Sequence, residues 1–294
     1  MSKIAVLTSG GDAPGMNAAI RSVVRQGIKK GYQVCGIQRG YAGLFDNSEF
    51  VNFEMRSVAD IIHRGGTILL TSRAPEMLEP KFQEQAASLL KSKKIDGLVV
   101  IGGGGSFRGA LTLDRLGIKV ICIPGTIDND INGNEQAIGF DTAVNTILDA
   151  INRLRDTATS HGRIFLLEVM GRHTGFLALA AGLAGGAESI LVPEVEYTVD
   201  TIYTRLLRGT EIRKSHSIIV VAEGAADVFK LNKEIRKKID AETRVTVLGH
   251  IQRGGSPSAV DRLLGSRMGS AAIVMPPLSR RKVVGFKLYS RFDL

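Results

Sequence analysis

Ile4-Ala5-Val6-Leu7 runs into Thr8-Ser9-Gly10-Gly11 without strict polar alternation, and a helical stretch follows from about Asn17 to Lys30. The same succession of apolar run, turn and helix returns at Gly97–Ile101, where Gly102–Ser106 opens a helix to about Leu116. It starts again at Lys119–Ile123, which Pro124 and Gly125 close. A strand wetted on one face alternates polar and apolar residues; unbroken runs belong to strands covered on both faces, hence to parallel sheets. The β-α-β order predicts a doubly wound three-layer α/β/α sandwich. Gln33–Ile37 is a further strand, and 58–63 and 84–94 are short helices. Beyond residue 139 a second unit of the same kind is predicted. It has helices over 142–157, 175–185 and 228–239, and strands over 163–169, 189–192, 217–221 and 245–248. A last helix over 261–273 is stopped by Met275-Pro276-Pro277. Ser279–Lys282 reads as a solvated basic patch and Val283–Phe286 as one more strand.

With 294 residues the chain can bury a large core, in two lobes rather than one. The net charge of +9 suits anionic partners. Nucleic acid is disfavoured, because the basic residues are dispersed, Trp is absent and aromatics are 5%. Cys35 and Cys122 lie inside apolar runs and read as buried thiols in a reducing compartment. Ile4–Leu7 is too short for a signal core, and Phe176–Ala187 is too short for a membrane span. A cytoplasmic protein is expected.

Asp128 and Asp130 follow the strand that ends at Pro124. Ligands of open α/β sheets bind at the carboxyl ends of strands, where a carboxylate can take a proton or help hold a metal-bound phosphate. It can equally cap the next helix. Gly10–Asn17 and Gly102–Ser106 each turn from a strand into a helix and offer bare amides to an anion, or are plain turns. Neither is a dinucleotide fingerprint or a Walker loop. His250-Ile251-Gln252-Arg253-Gly254-Gly255, Arg163, Gly171-Arg172-His173 and Arg244 supply cations at strand ends, each alone readable as a surface charge. His63 and His216 read as structural, and neither zinc spacing nor a Gly-x-Ser-x-Gly elbow occurs.

Five segments then resemble the bacterial ATP-dependent 6-phosphofructokinases: Leu7–Asn17, His63-Arg64-Gly65-Gly66-Thr67, Pro124–Asp130, Glu168-Val169-Met170-Gly171-Arg172 and Gly249–Pro257. The resemblance runs from residue 1 to about 273. It implies two Rossmann-like lobes with the active site in the cleft between them: 1–139 binding ATP, 140–251 binding fructose 6-phosphate, and 252–294 returning to the larger lobe. It implies transfer of the γ-phosphoryl of Mg²⁺-bound ATP to the 1-hydroxyl of fructose 6-phosphate, with Asp128 as general base. Gly11, Arg73, Ala74, Gly103, Gly104, Gly105 and Ser106 match the ATP site. Thr126 and Arg172 match residues at the transferring group. Thr126, Ile127, Asp128, Met170, Gly171, Arg172, Glu223, His250, Ile251, Gln252 and Arg253 match the sugar-phosphate site. Arg163 and Arg244 match residues that reach in from a neighbouring subunit, implying a homotetramer. Arg21, Arg25, Arg155, Glu188 and Lys214 match the effector site, where ADP activates and phosphoenolpyruvate inhibits. Asp130 is the remaining candidate near Mg²⁺.

Three positions depart from the family pattern. Gly104 stands where the family has the Asp beside Mg²⁺. Ile212 stands where the effector site has an Arg, and the segment after Ile273 is atypical and shortened. Gly104 leaves open a catalytically silent, ligand-binding homologue. Pyrophosphate as donor is the further alternative, but pyrophosphate-dependent relatives carry Lys at the position of Gly125 and Asp at that of Gly105, which points to ATP here.

Overall fold

The computed structural model describes residues 2–45, 50–211, 216–239 and 241–274. The expected strand at Val283–Phe286 and the Pro276-Pro277 stop lie outside the described residues. Two compact units emerge. One runs to Asp141 and resumes at Arg253; the other is Thr142–Gln252.

The first unit holds β1 (Lys3–Ser9), α1 (Met16–Lys29), β2 (Gln33–Ile37), β3 (Phe50–Phe53), α2 (Pro80–Ser92), β4 (Gly97–Gly102), α3 (Gly104–Arg115), β5 (Val120–Pro124) and α8 (Ala259–Val274). Its sheet has the order β3-β2-β1-β4-β5. Every pairing is parallel except β2 with β3. The unbroken apolar runs are explained by cover on both sides. Ala5, Leu7, Cys35, Ile37, Leu98, Val100 and Cys122 share one core with Ala86 and Leu90 of α2 and Ala110 and Leu113 of α3. Their strand neighbours Ile4 and Val34 meet α1 at Gly27 instead.

Helix α8 lies on α1 through small residues. A Cβ at Gly269 would fall 2.6 Å from the Ala19 carbonyl oxygen, and Ser22 Oγ donates to the Ser266 carbonyl at 2.6 Å. Helix backbones this close leave no room for a methyl group. Gly269→Ala should therefore cost about 1–3 kcal/mol by overpacking, read as a lower thermal midpoint; an unchanged midpoint would show that the two helices can part.

The second unit holds α4 (Phe140–His161, begun in the first), β6 (Ile164–Val169), α5 (Phe176–Ala184), β7 (Ser189–Leu191), α6 (Val199–Glu211), β8 (Ser217–Ala222), α7 (Val228–Lys238) and β9 (Thr243–Val247). Its sheet, β7-β8-β6-β9, is wholly parallel. Ile164, Leu166, Ile219 and Val221 pack with Ile202 and Leu206 of α6 and Leu231 and Ile235 of α7. On α5, Gly182 meets Ile190 of β7, and Ile151 of α4 meets Gly185 just beyond the helix. Two α/β units with largely parallel sheets are thus what the strand pattern predicted.

Three local expectations differ, and two elements are unforeseen. Residues 58–63 form turns rather than a helix, because Asp60 takes φ 57°, outside helical space. The last helix begins at Ala259, and α3 begins at Gly104, so two of the four glycines lie in a helical turn. Strand β3 and helix α6 are additions. Phe50–Phe53 is too short to signal itself and is stabilised by pairing with β2 and by packing of Phe50 and Phe53 on the core. Among the described residues no helix is long and apolar enough to cross a membrane.

Cys35 and Cys122 are free and buried. Burial raises both thiols, Cys122 to about 12, and the nearby Asp114 adds to that shift. Neither should react with an aromatic disulfide reagent at pH 8 until denaturant is added. Rapid native labelling would contradict this packing.

Candidate active site

Three strand ends of the first unit fall in one row. Ser9 of β1 is in register with Gly102 of β4, and Gly102 with Pro124 of β5. The segments Gly10–Gly11, Gly103–Ser106 and Gly125–Asp128 therefore leave the sheet along a single edge. That edge includes the junction of β1 and β4, where the strand order reverses and α/β sheets leave a crevice.

Each segment is pinned by its neighbours. Ser106 Oγ donates to the Ser9 carbonyl at 2.9 Å, and Tyr41 Oη to the Ser106 carbonyl at 2.7 Å. Gly103 caps α3, whose first turn carries no acidic side chain. Its unpaired amides and the positive end of the helix dipole suit an anion. Thr126 is beside this cap: a Cβ on Gly103 would lie 3.6 Å from Thr126 Cβ. The Arg253 side chain lies against Gly11 and donates weakly to the Asp12 carbonyl at 3.5 Å. Arg73 is exposed, and Ala74 packs partly against the core.

Asp128 is 4% exposed, and its N–H donates to Thr126 Oγ1 at 3.2 Å. The loop that carries it is closed at the neck, where Thr126 N–H donates to the Ile138 carbonyl at 3.0 Å. Inside, Asn129 takes φ 53°, donates to the Glu135 carbonyl at 3.0 Å and accepts Ala137 N–H at 2.7 Å. A left-handed residue suits Asn, whose side chain can bond locally. Ile127 is fully buried and Asp130 is exposed.

Gly104 has open space beside it. A Cβ there would meet only Ile131 Cδ1, at 3.9 Å, and one at Gly105 would meet nothing within 4 Å. Among the described residues no group of three or more His, Cys, Asp or Glu could hold a metal ion. The donor set fits an ion carried mainly by phosphates and water, as Mg²⁺ is, and does not fit a protein-built cage.

In the second unit Val169, Ala222 and Val247 are at or near the carboxyl ends of adjacent strands. Glu223 Oε1 accepts the N–H groups of Gly171 at 3.2 Å and Arg172 at 2.7 Å. Arg172 itself takes φ 54° and is exposed. Gln252 is fully buried; it accepts Met170 N–H at 3.2 Å and donates to the Gly249 carbonyl at 2.9 Å. It therefore braces the Met170–Arg172 turn, while His250 and Ile251 beside it are exposed. Burial first, then the charges of Glu223 and Asp227, push the Glu168 carboxyl up.

Arg163 and Arg244 do not join this group. Arg163 precedes β6, and Arg244 is paired with Phe165 near the amino end of that strand. The length of β6, roughly 17 Å at 3.3 Å per residue, separates them from Gly171. Both hold Glu242: Arg163 Nε at 2.5 Å and Arg244 through Nη2. The Arg163 bond is the main cause that holds Glu242 below its ordinary carboxylate value. The role of Glu242 leaves no local trace in the sequence, because Arg163 stands far from it along the chain and meets it only through folding.

Of the effector candidates, Arg21 and Arg25 are one turn apart on α1; burial and then Arg25 pull Arg21 below its ordinary value. Arg155 donates to the Gly185 carbonyl and, at 3.4 Å, to that of Gly186. Glu188 accepts Ile218 N–H and returns its own N–H to the Ile218 carbonyl at 3.0 Å. Lys214 and Ile212 lie outside the described residues.

Residues 3–275 match the phosphofructokinase family model. The chain belongs to the phosphofructokinase family. A Clostridium tetani protein named ATP-dependent 6-phosphofructokinase is 59% identical over 273 residues, 93% of this chain and 85% of that one. An Alkaliphilus metalliredigens protein of the same name is 54% identical over 295 residues, 100% of this chain and 92% of its own length. The structure of Pichia pastoris phosphofructokinase in the T-state superposes with a TM-score of 0.91 at 36% identity. That match covers 96% of this chain and 33% of the much longer yeast chain. The resemblance carried by the five motifs is therefore borne out by the whole chain, and the two α/β units are those of a phosphofructokinase.

Proposed function

We propose that the protein is an ATP-dependent 6-phosphofructokinase that makes fructose 1,6-bisphosphate and ADP from fructose 6-phosphate and ATP. The observation that carries this is the row Ser9, Gly102, Pro124, which sets two amide-rich turns and a buried carboxylate on one sheet edge. Its bacterial relatives bear the same name.

In this reading the ATP phosphates lie on Gly11, Arg73 and the Gly103–Ser106 turn. Asp128 accepts the proton of the sugar 1-hydroxyl as that oxygen bonds to the γ-phosphorus. The bond from the γ-phosphorus to the β,γ-bridging oxygen breaks, and ADP leaves with the electron pair. Thr126, Gly11 and Arg172 donate to oxygens whose charge grows during transfer. Such chemistry depends on position and positive charge more than on covalent steps. Mg²⁺, when bound, would neutralise phosphate oxygens; Asp130 is the carboxylate that the loop after Pro124 would offer it. Met170, Gly171, Arg172, Glu223, His250, Ile251, Gln252 and Arg253 form or brace the sugar-phosphate side. Arg163 and Arg244, at the far end of their sheet, suit the site of another copy in a homotetramer. Arg21, Arg25, Arg155, Glu188 and Lys214 serve an ADP or phosphoenolpyruvate effector. The lobes divide near 139 and 251, and the enzyme works in the cytoplasm.

A coupled assay for fructose 1,6-bisphosphate tests the reading. Turnover with Mg-ATP and none with pyrophosphate is expected. Absence of product at saturating Mg-ATP, with both substrates bound, would overturn it.

A further inference from the structure

The His63–Thr67 motif has no role in the reaction described above, yet it joins three of the site segments. We infer that Asn17 is a positioning residue. It holds this turn so that the Gly10–Gly11 loop and Arg73 form a preset cradle for the phosphate tail of the donor nucleotide. The inference rests on the ATP reading and adds the means by which the donor side is held.

Asn17 opens α1 and is 1% exposed. Its carboxamide is fully used. Nδ2 donates to the carbonyls of Arg64 at 3.0 Å and Gly65 at 3.2 Å, and Oδ1 accepts Ile68 N–H at 2.8 Å. No other side chain of that size supplies two donors and one acceptor in this arrangement. The segment it grips continues along the first strand. Thr8 Oγ1 donates to the Leu70 carbonyl at 2.8 Å and meets Thr67 Oγ1 at 2.9 Å. Thr71 Oγ1 then donates to the Gly10 carbonyl at 2.9 Å. That bond fixes the peptide plane whose amide belongs to Gly11, and Arg73 stands two residues further on. The other side of the turn is held too. Ser256 Oγ donates to the His63 carbonyl at 2.8 Å, and Gly65 abuts the Gly255 carbonyl so closely that a side chain cannot fit. Residues 63–71 contain no helix or strand of their own. Their conformation is set by these side-chain bonds together with a few backbone bonds, such as Arg39 N–H to the Leu69 carbonyl at 2.8 Å, rather than by a ladder.

Asn17→Asp keeps the size but turns a carboxylate oxygen toward two carbonyls. Titration calorimetry with ATP alone and with fructose 6-phosphate alone should show ATP binding weakened on the order of 10²-fold and sugar-phosphate binding unchanged. Amide exchange of the 63–72 peptide should rise. Thr71→Val, a milder change, should weaken ATP about threefold to tenfold; it keeps the test alive if Asn17→Asp does not fold. Faster exchange with unchanged ATP affinity, or an equal loss for both ligands, would overturn the inference. So would a Thr71→Val variant with unaltered ATP affinity, or a wild-type protein that does not bind ATP. Wild-type protein that binds both ligands but makes no product would instead sink the enzyme reading and leave this one standing.

Discussion

Asp128→Asn should lower kcat by about 10²- to 10⁴-fold, the range for loss of a positioned general base, with both KM values moving only a few-fold. The amide keeps the shape of the carboxylate, so the fold should hold. The Thr126–Ile138 neck and the two Asn129 bonds hold the loop around it from other atoms. A change made at one side-chain atom, inside a loop that stays put, reports on proton transfer and not on packing. Steady-state kinetics across pH provides the check. Retention of kcat within tenfold would remove Asp128 from the chemistry and leave it as a helix-capping or loop residue.

Gly104→Asp should act in the opposite direction. If, as proposed, the ATP phosphates carry Mg²⁺ past this turn, a carboxylate there should raise kcat by about 10²- to 10³-fold, the scale of one electrostatic stabiliser. The structure leaves room for it, since a Cβ there meets only Ile131 Cδ1 at 3.9 Å. The residue would also sit in the first turn of α3, where a negative side chain is favoured by the dipole, worth about 0.3–1 kcal/mol. The variant should therefore be at least as stable as the wild type, which separates a gain in catalysis from a gain in folding. The kinetic gain should appear with Mg²⁺ at every ATP concentration. An unaltered rate would mean that phosphates, water and the remaining carboxylates already hold the ion well enough.

The two changes together probe one edge of one sheet. If the row Ser9, Gly102, Pro124 orders the site, Asp128→Asn removes a proton acceptor at one end of it and Gly104→Asp changes the charge at the other. The double variant should then show the Asp128→Asn loss largely intact, because a better-held ion cannot take the sugar proton.

Much of this was legible in the residues. Unbroken apolar runs such as Ala5–Leu7 and Leu98–Ile101 gave parallel strands, because only strands covered on both faces can dispense with polar alternation. Gly10–Gly11 and Gly103–Ser106 were legible as bare turns between strand and helix, able to face an anion. Asp60 was misread because its left-handed backbone breaks a turn of helix that the apolar spacing suggests. Gln252 could be assigned to the ligand from its motif. That its side chain is fully buried and also braces the turn, by accepting the Met170 N–H, is visible only in the folded chain.

The chain's order of residues settled its class and its family motifs and nominated Asp128 as the candidate base, since these depend on local periodicity and on which side chains follow a strand. Register, and the bonds between distant segments, depended on the folded chain. Only pairing of β1, β4 and β5 aligns their three ends, and only folding brings Asn17 to Arg64 or puts Arg163 and Arg244 at the amino end of their sheet, away from Gly171. The physical reason is that hydrogen bonds between residues far apart in sequence leave no periodic trace; they are fixed by the packing of whole elements.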